Sequence, residues 1–80
     1  MRIPRDVSGQ ELARLLEGFG YQITRQKGSH LRLSKTNPTH HITIPNHSNL
    51  RLGTLSSIIN DIASNLGTSK DDLLKKLFLD

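Results

Sequence analysis

The sequence contains no cysteine, which excludes disulfide bonds, thiolate metal sites and thiol chemistry. No apolar run approaches the ~20 residues that a membrane span needs, and residues 1–6 lack the apolar segment of a secretory signal. These absences predict a cytoplasmic protein that does not enter a membrane. Eighty residues make one small core that buries only ~60% of the unfolded chain's surface, so we expect a single domain over residues 1–80.

Acidic residues are missing from the middle of the chain. Residues 18–60 contain no Asp or Glu, yet they hold all four histidines and the cations Arg25, Lys27, Arg32, Lys35 and Arg51. Because both ends are nearly neutral, the net charge of +4 is concentrated in this region. Such segregation is typical of a surface that binds anions, most often nucleic acid.

Helical periodicity appears at both ends of the chain. Ser8 is expected to cap a first helix over about residues 9–18, and Gly18 and Gly20 to end it. A second helix is predicted from about residue 53 to the glycine at residue 67, and a short third helix after Ser69. Three roles are open for the tail from residue 61 to residue 80: docking a protein partner, self-association, or extra core.

The middle region alternates apolar and polar residues with period two. This pattern predicts three strands, over about residues 21–26, 30–35 and 40–44, joined by short connections as an antiparallel meander. One sheet face is apolar and must be covered by helices; it is formed by Tyr21, Ile23, Leu31, Leu33, Ile42 and Ile44. The predicted fold is α+β, with the α-β-β-β-α(-α) layout of double-stranded-RNA-binding domains, an analogy that does not settle function.

Side-chain phase predicts the strand register. Matching Ile23 with Leu33 leaves a three-residue loop, residues 27–29, and sets Gln26 opposite His30 and Thr24 opposite Arg32. On the other side of the second strand, His30 is expected near Pro45 and Ser34 opposite His41. The histidines then separate: His41 lies roughly 13 Å from His30 along the sheet. His47 is the histidine expected to approach His30.

Four functions compete for this region. A metal site is disfavoured because no acid or cysteine accompanies the histidines. RNA cleavage without a metal needs a group that titrates near neutrality, which His30 supplies, and cations to stabilise the developing charge. Plain RNA binding and docking of an acidic protein remain open. Register and charge assign RNA contacts to Lys27, Arg32 and His47. We also expect RNA contacts from Arg25, Gly28, Ser29, Lys35 and Arg51.

Four segments carry a recognisable pattern: residues 11–21, 25–30, 42–45 and 52–59, which include the Lys-Gly-Ser-His turn at 27–30 and Leu-Gly-Thr-Leu at 52–55. They resemble the HicA (YcfA-like) family of bacterial toxin mRNA interferases. The resemblance implies a double-stranded-RNA-binding-like fold, endoribonuclease action on mRNA, and His30 as the catalytic residue. It also implies a HicB-type antitoxin as partner. We therefore expect a toxin without cofactor or metal, monomeric or in a heteromeric complex with its antitoxin. The alternative is a non-catalytic RNA-binding module.

Overall fold

The computed structural model describes residues 2–79 and has the predicted order of elements. Helix α1 (Gly9–Leu16) continues into a 3₁₀ turn, Glu17–Phe19. Three strands follow: β1 (Gln22–Lys27), β2 (His30–Lys35) and β3 (His40–Pro45). Helices α2 (Leu52–Leu66) and α3 (Lys70–Phe78) complete the chain. The predicted α+β class and α-β-β-β-α-α order are confirmed.

Side chains and glycines set the helix ends where the sequence indicates. The hydroxyl of Ser8 accepts the backbone N–H of Glu11 at 3.0 Å, and the hydroxyl of Ser69 accepts that of Asp72 at 3.0 Å. Both bonds satisfy a donor that has no partner within the first helical turn. Gly20 and Gly67 adopt positive φ at the ends of the 3₁₀ turn and α2, where glycine avoids the clash of a Cβ.

The strands form one antiparallel sheet in the order β1-β2-β3. Alternate residues of β2 and β3 point to opposite faces: His30, Arg32, His41 and Thr43 are exposed, whereas the apolar residues between them are buried. The helices cover the apolar face, which is formed by Leu31, Leu33, Ile42 and Ile44, each at most 6% exposed. The other face of the sheet is open to solvent.

Strand β1 departs from the predicted core. Ile23 was expected on the covered face, yet it is 44% exposed although it pairs with the fully buried Leu33. All six residues of β1 are exposed, which shows that the helix layer does not extend over this edge of the sheet. Tyr21, immediately before β1, is the residue that enters the core from this side.

Helix α3 belongs to the hydrophobic core. Leu73, Leu74 and Leu77 are at most 5% exposed and join the same buried cluster as the α1 and α2 residues. Of the three roles open for the tail, extra core is therefore the one that the structure shows. In a domain of this size, such added apolar burial is a substantial part of the stability.

Candidate functional site

The β1–β2 hairpin ends in a tighter turn than predicted. Lys27 pairs directly with His30, so the connection is the two residues Gly28 and Ser29 and not three. Gly28 has φ of 58°, a conformation that two-residue hairpin turns require and that glycine adopts without steric cost. The turn therefore holds Lys27 and His30 side by side at the end of the hairpin.

A β-bulge at Thr24 changes which residues share a face. The predicted pairing of Ile23 with Leu33 is confirmed, but the register then shifts, so that Arg25 and not Thr24 lies opposite Arg32. The predicted pairing of Gln26 with His30 is wrong for the same reason. A bulge sets two residues against one and so reverses the alternation beyond it.

The shift collects positive charge on the open side of the sheet. Residues directly opposite each other in an antiparallel pair share a face, so Arg25 joins Arg32 and Lys27 joins His30. We call these four residues the basic face. Without the bulge, Arg25 and Lys27 would point toward the helix side, away from His30. Opposite residues have Cβ atoms about 4.5–5.5 Å apart, close enough for one phosphate group to contact two of them.

Within the described residues, no acidic side chain neutralises the basic face. Among residues 2–79, no acidic side chain forms an ion pair with Arg25, Lys27 or Arg32, and the ring of His30 has no hydrogen-bond partner. All four side chains are exposed. Like charges directly opposite each other, as at Arg25 and Arg32, destabilise a strand pair. An anion bound here would relieve that repulsion.

The segment after β3 is held against the hairpin turn. The N–H of Asn46 donates to the carbonyl of Ser29 at 2.6 Å, and the N–H of Gly9 donates to the carbonyl of His47 at 3.0 Å. His30 lies opposite Pro45, as predicted. These backbone bonds bring the exposed His47 to the same end of the sheet as His30, while its imidazole stays open to solvent.

Two predicted RNA contacts lie elsewhere. Lys35 is only 7% exposed; its ammonium donates to the carbonyl of Pro38 at 3.0 Å and lies 5.9 Å from the ring centroid of Tyr21. Its ammonium is occupied by the turn between β2 and β3 and does not lie with the basic face. Arg51 precedes α2 and lines a separate depression of about 270 Å³ with Arg5 and neighbouring residues.

The adjacent histidines His40 and His41 point to opposite faces of the sheet and have different partners. His40 Nδ1 lies 2.7 Å from the Tyr21 hydroxyl, and its Nε2 lies 3.2 Å from a carboxylate oxygen of Asp61 on α2. Burial, and then the charge of Asp61, raise the pKa of Tyr21 to about 12. The Asp61 carboxylate can only accept, so in the neutral imidazole Nε2–H donates to it and Nδ1 accepts from the Tyr21 hydroxyl. Sequence reasoning missed this connection because its members lie in three separate elements.

No group of three or more His, Cys, Asp or Glu side chains is arranged to hold a metal ion within residues 2–79. In the same part of the chain, no helix has both the length and the apolar character needed to cross a membrane.

The fold and the open basic face define a class: a small α+β domain with the layout of a double-stranded-RNA-binding domain and an exposed cationic sheet surface. A comparison with protein-family models matches residues 9–63 to the HicA toxin of bacterial toxin–antitoxin systems. The match covers more than half of the chain, so the chain belongs to the HicA toxin family and is a toxin of a toxin–antitoxin system. Neither the curated proteins nor the solved structures gave a match.

Proposed function

We propose that this toxin is a metal-independent endoribonuclease that cleaves mRNA on the basic face, with His30 as its general acid/base. The nucleophile comes from the substrate: His30 takes the proton of a ribose 2′-hydroxyl, whose oxygen attacks the adjacent phosphorus. The bond from phosphorus to the 5′-oxygen breaks, and that oxygen takes up a proton. The products are a 2′,3′-cyclic phosphate and a 5′-hydroxyl.

The observation that carries this proposal is the position of His30 among three cations that have no acidic partner within residues 2–79. Lys27 faces His30 across the hairpin, and Arg32 lies two residues further along β2 on the same face. At strand rise, that separation is roughly 7 Å, about the span of one phosphodiester and its neighbouring ribose. Lys27 and Arg32 would bind the non-bridging oxygens and stabilise the charge that develops on them in the transition state.

The hairpin turn and the following segment supply the remaining proposed contacts. Arg25 extends the cationic surface beside Arg32, and the backbone of Gly28 and Ser29 lets the RNA approach the turn closely. His47 is our candidate for donating the proton to the leaving 5′-oxygen, because its backbone is held next to the turn. Arg51 would contact RNA outside the cleavage site. We propose a HicB-type antitoxin as the protein partner, bound in a heteromeric complex.

Cleavage can be tested with purified protein and single-stranded RNA in excess EDTA. We expect the wild-type protein to cleave, and His30→Ala to lose at least about a hundredfold in rate, the lower end of what a general acid/base contributes. If the wild type leaves the RNA intact, or if His30→Ala cleaves equally well, the proposal is wrong. Binding without cleavage by both proteins would support the alternative, a non-catalytic RNA-binding module.

The contribution of the basic face to cleavage can be tested with a matched pair of substitutions. Lys27→Ala removes one charge beside His30, and Lys76→Ala removes one exposed charge from α3 in the helix layer. We expect Lys27→Ala to slow cleavage strongly and Lys76→Ala to leave the rate within about twofold of wild type. Equal effects of the two substitutions would show that only net charge matters, and would contradict a site at the hairpin.

A further inference from the structure

A second feature of the open sheet face lies beyond the basic face, at the opposite end of the strands. It is a shallow depression of about 330 Å³ between β1, β2 and β3. Its lining includes six polar side chains, Gln22, Thr24, Ser34, Thr36, Thr39 and His41. They carry amide, hydroxyl and imidazole groups, which resemble the neutral donors and acceptors that read nucleic-acid bases.

A chain of hydrogen bonds holds the imidazole of His41 in this depression. Its Nδ1 lies 2.6 Å from the Ser34 hydroxyl, which lies 3.1 Å from the Thr24 hydroxyl. The Thr24 hydroxyl in turn donates to the carbonyl of Arg32 at 3.4 Å. Thr24 is the extra residue of the bulge, so the irregularity that gathers the basic face also brings this hydroxyl to Ser34.

Counting hydrogens assigns the His41 tautomer. Each hydroxyl has one hydrogen to donate. If the Ser34 hydroxyl donated to His41, the Thr24 hydroxyl would have to donate its single hydrogen to both the Ser34 hydroxyl and the Arg32 carbonyl. If His41 donates from Nδ1, Ser34 donates to Thr24 and Thr24 donates to Arg32, and all three bonds are made. The neutral ring then presents Nε2 as an acceptor, and no residue within 2–79 bonds to that atom.

We propose that this depression is a subsite for one ribonucleoside of single-stranded RNA, with His41 Nε2 accepting a hydrogen bond from it. The donor is an exocyclic amino group of the base, a ring N–H such as N3–H of uridine, or the ribose 2′-hydroxyl. Gln22 contributes an amide that can both donate and accept. The subsite rests on the proposed function for its substrate, but it involves no chemical step.

The proposed subsite at His41 lies well away from the proposed cleavage site at His30. His41 pairs with Ser34, and His30 lies four residues before Ser34 on β2, roughly 13 Å away at strand rise. His41 is therefore too far to exchange a proton with the phosphate at His30. It can bind a nucleoside displaced along the strand from the cut, and so influence which sequences are cleaved.

The test measures binding in a background that cannot cleave. Affinities of His30→Ala protein are compared for four single-stranded decamers: oligocytidine, oligouridine and their 2′-deoxy forms. Each is measured again after adding His41→Ala, Ser34→Ala or, as a control, Gln10→Ala, which alters an exposed residue of α1. One hydrogen bond to a nucleoside predicts about a fivefold loss with His41→Ala, a smaller loss with Ser34→Ala, and none with Gln10→Ala.

The pattern of losses identifies the donor. An amino donor predicts that His41→Ala weakens binding of both cytidine oligomers and spares both uridine oligomers, and a uridine N3–H donor predicts the reverse. A 2′-hydroxyl donor predicts losses for both ribose oligomers and none for the deoxy forms. The subsite would be overturned if His41→Ala changed the affinity for every one of the four oligomers by less than twofold. It would also be overturned if the His30→Ala protein bound none of them measurably. Because cleavage is assayed separately, an uncleaved RNA with His41-dependent binding would reject the catalytic proposal and leave the subsite in place.

Discussion

The contact between α1 and the end of β3 predicts that Gly9 tolerates no side chain. A Cβ built at Gly9 would lie 2.1 Å from the carbonyl oxygen of Pro45 and 3.1 Å from Cα of Asn46. Both neighbours are backbone atoms and cannot rotate away. Gly9→Ala must therefore push α1 from β3 by about 1 Å or more, and stretch the bond from Gly9 N–H to the His47 carbonyl.

The loss of stability in Gly9→Ala follows from the steric clash and from the stretched hydrogen bond. Overpacking a close contact costs typically 1–3 kcal/mol, and a weakened hydrogen bond adds about 0.5–1.5 kcal/mol. The greater helix propensity of alanine offsets at most about 1 kcal/mol. We expect a net loss of about 1–3 kcal/mol in the free energy of unfolding. In a domain of this size, each kcal/mol lowers Tm by about 4–8 °C.

Urea and thermal unfolding followed by circular dichroism measure this loss. Gly18→Ala is the matched control, since a Cβ at Gly18 meets nothing within 4 Å and its φ is ordinary. It should change the stability by less than about 0.5 kcal/mol. Wild-type stability of Gly9→Ala would refute the close approach of α1 to β3, and with it the placement of His47 beside the hairpin turn.

Three further predictions test the sheet and its surface. Ile23→Ala should lower the free energy of unfolding by less than about 0.5 kcal/mol because β1 is uncovered. Leu33→Ala on the neighbouring strand should lower it by about 2–5 kcal/mol. Equal losses in urea unfolding would show that the helices do cover β1. Tyr21 is the sole tyrosine and its pKa is raised to about 12, so absorbance at alkaline pH should show no phenolate in the folded protein near pH 10. Because burial favours the neutral phenol, stability should fall as pH rises from about 10 toward 12, and a midpoint near 10 without unfolding would contradict the buried position. The salt dependence of RNA binding should decrease by about one charge in Lys27→Ala and remain unchanged in Ile23→Ala, and an unchanged slope in Lys27→Ala would argue against a phosphate contact.

Much of the fold follows from local patterns. Alternation predicted the strands and the β2–β3 pairing of His30 with Pro45 and Ser34 with His41, because a buried face tolerates no slip of one residue. Capping hydroxyls predicted the starts of α1 and α3, and left-handed glycines predicted the ends of the 3₁₀ turn and of α2, since these are local backbone requirements.

The basic face was harder to predict because it depends on the β-bulge in β1. A bulge at Thr24 has no distinct composition, yet it decides that Arg25 and Lys27 face the same side as His30. The burial of Lys35 was also missed, because a lysine in a strand gives no sign that its ammonium will bind a turn carbonyl. Which strand the helices leave uncovered is set by tertiary packing, so the exposure of Ile23 could not be read from alternation alone.

The most direct measurement of the central claim is the chemistry of the cleaved ends. Wild-type protein and His30→Ala are incubated in EDTA with an RNA oligonucleotide and with the same sequence carrying a single 2′-O-methyl group at the mapped cut. We expect a 2′,3′-cyclic phosphate and a 5′-hydroxyl from wild-type protein on unmodified RNA. We expect no cut at the methylated position, and product formation by His30→Ala that is at least about a hundredfold slower. Cleavage at the methylated position, or 5′-phosphate ends, would contradict attack by the 2′-hydroxyl with His30 as the general acid/base.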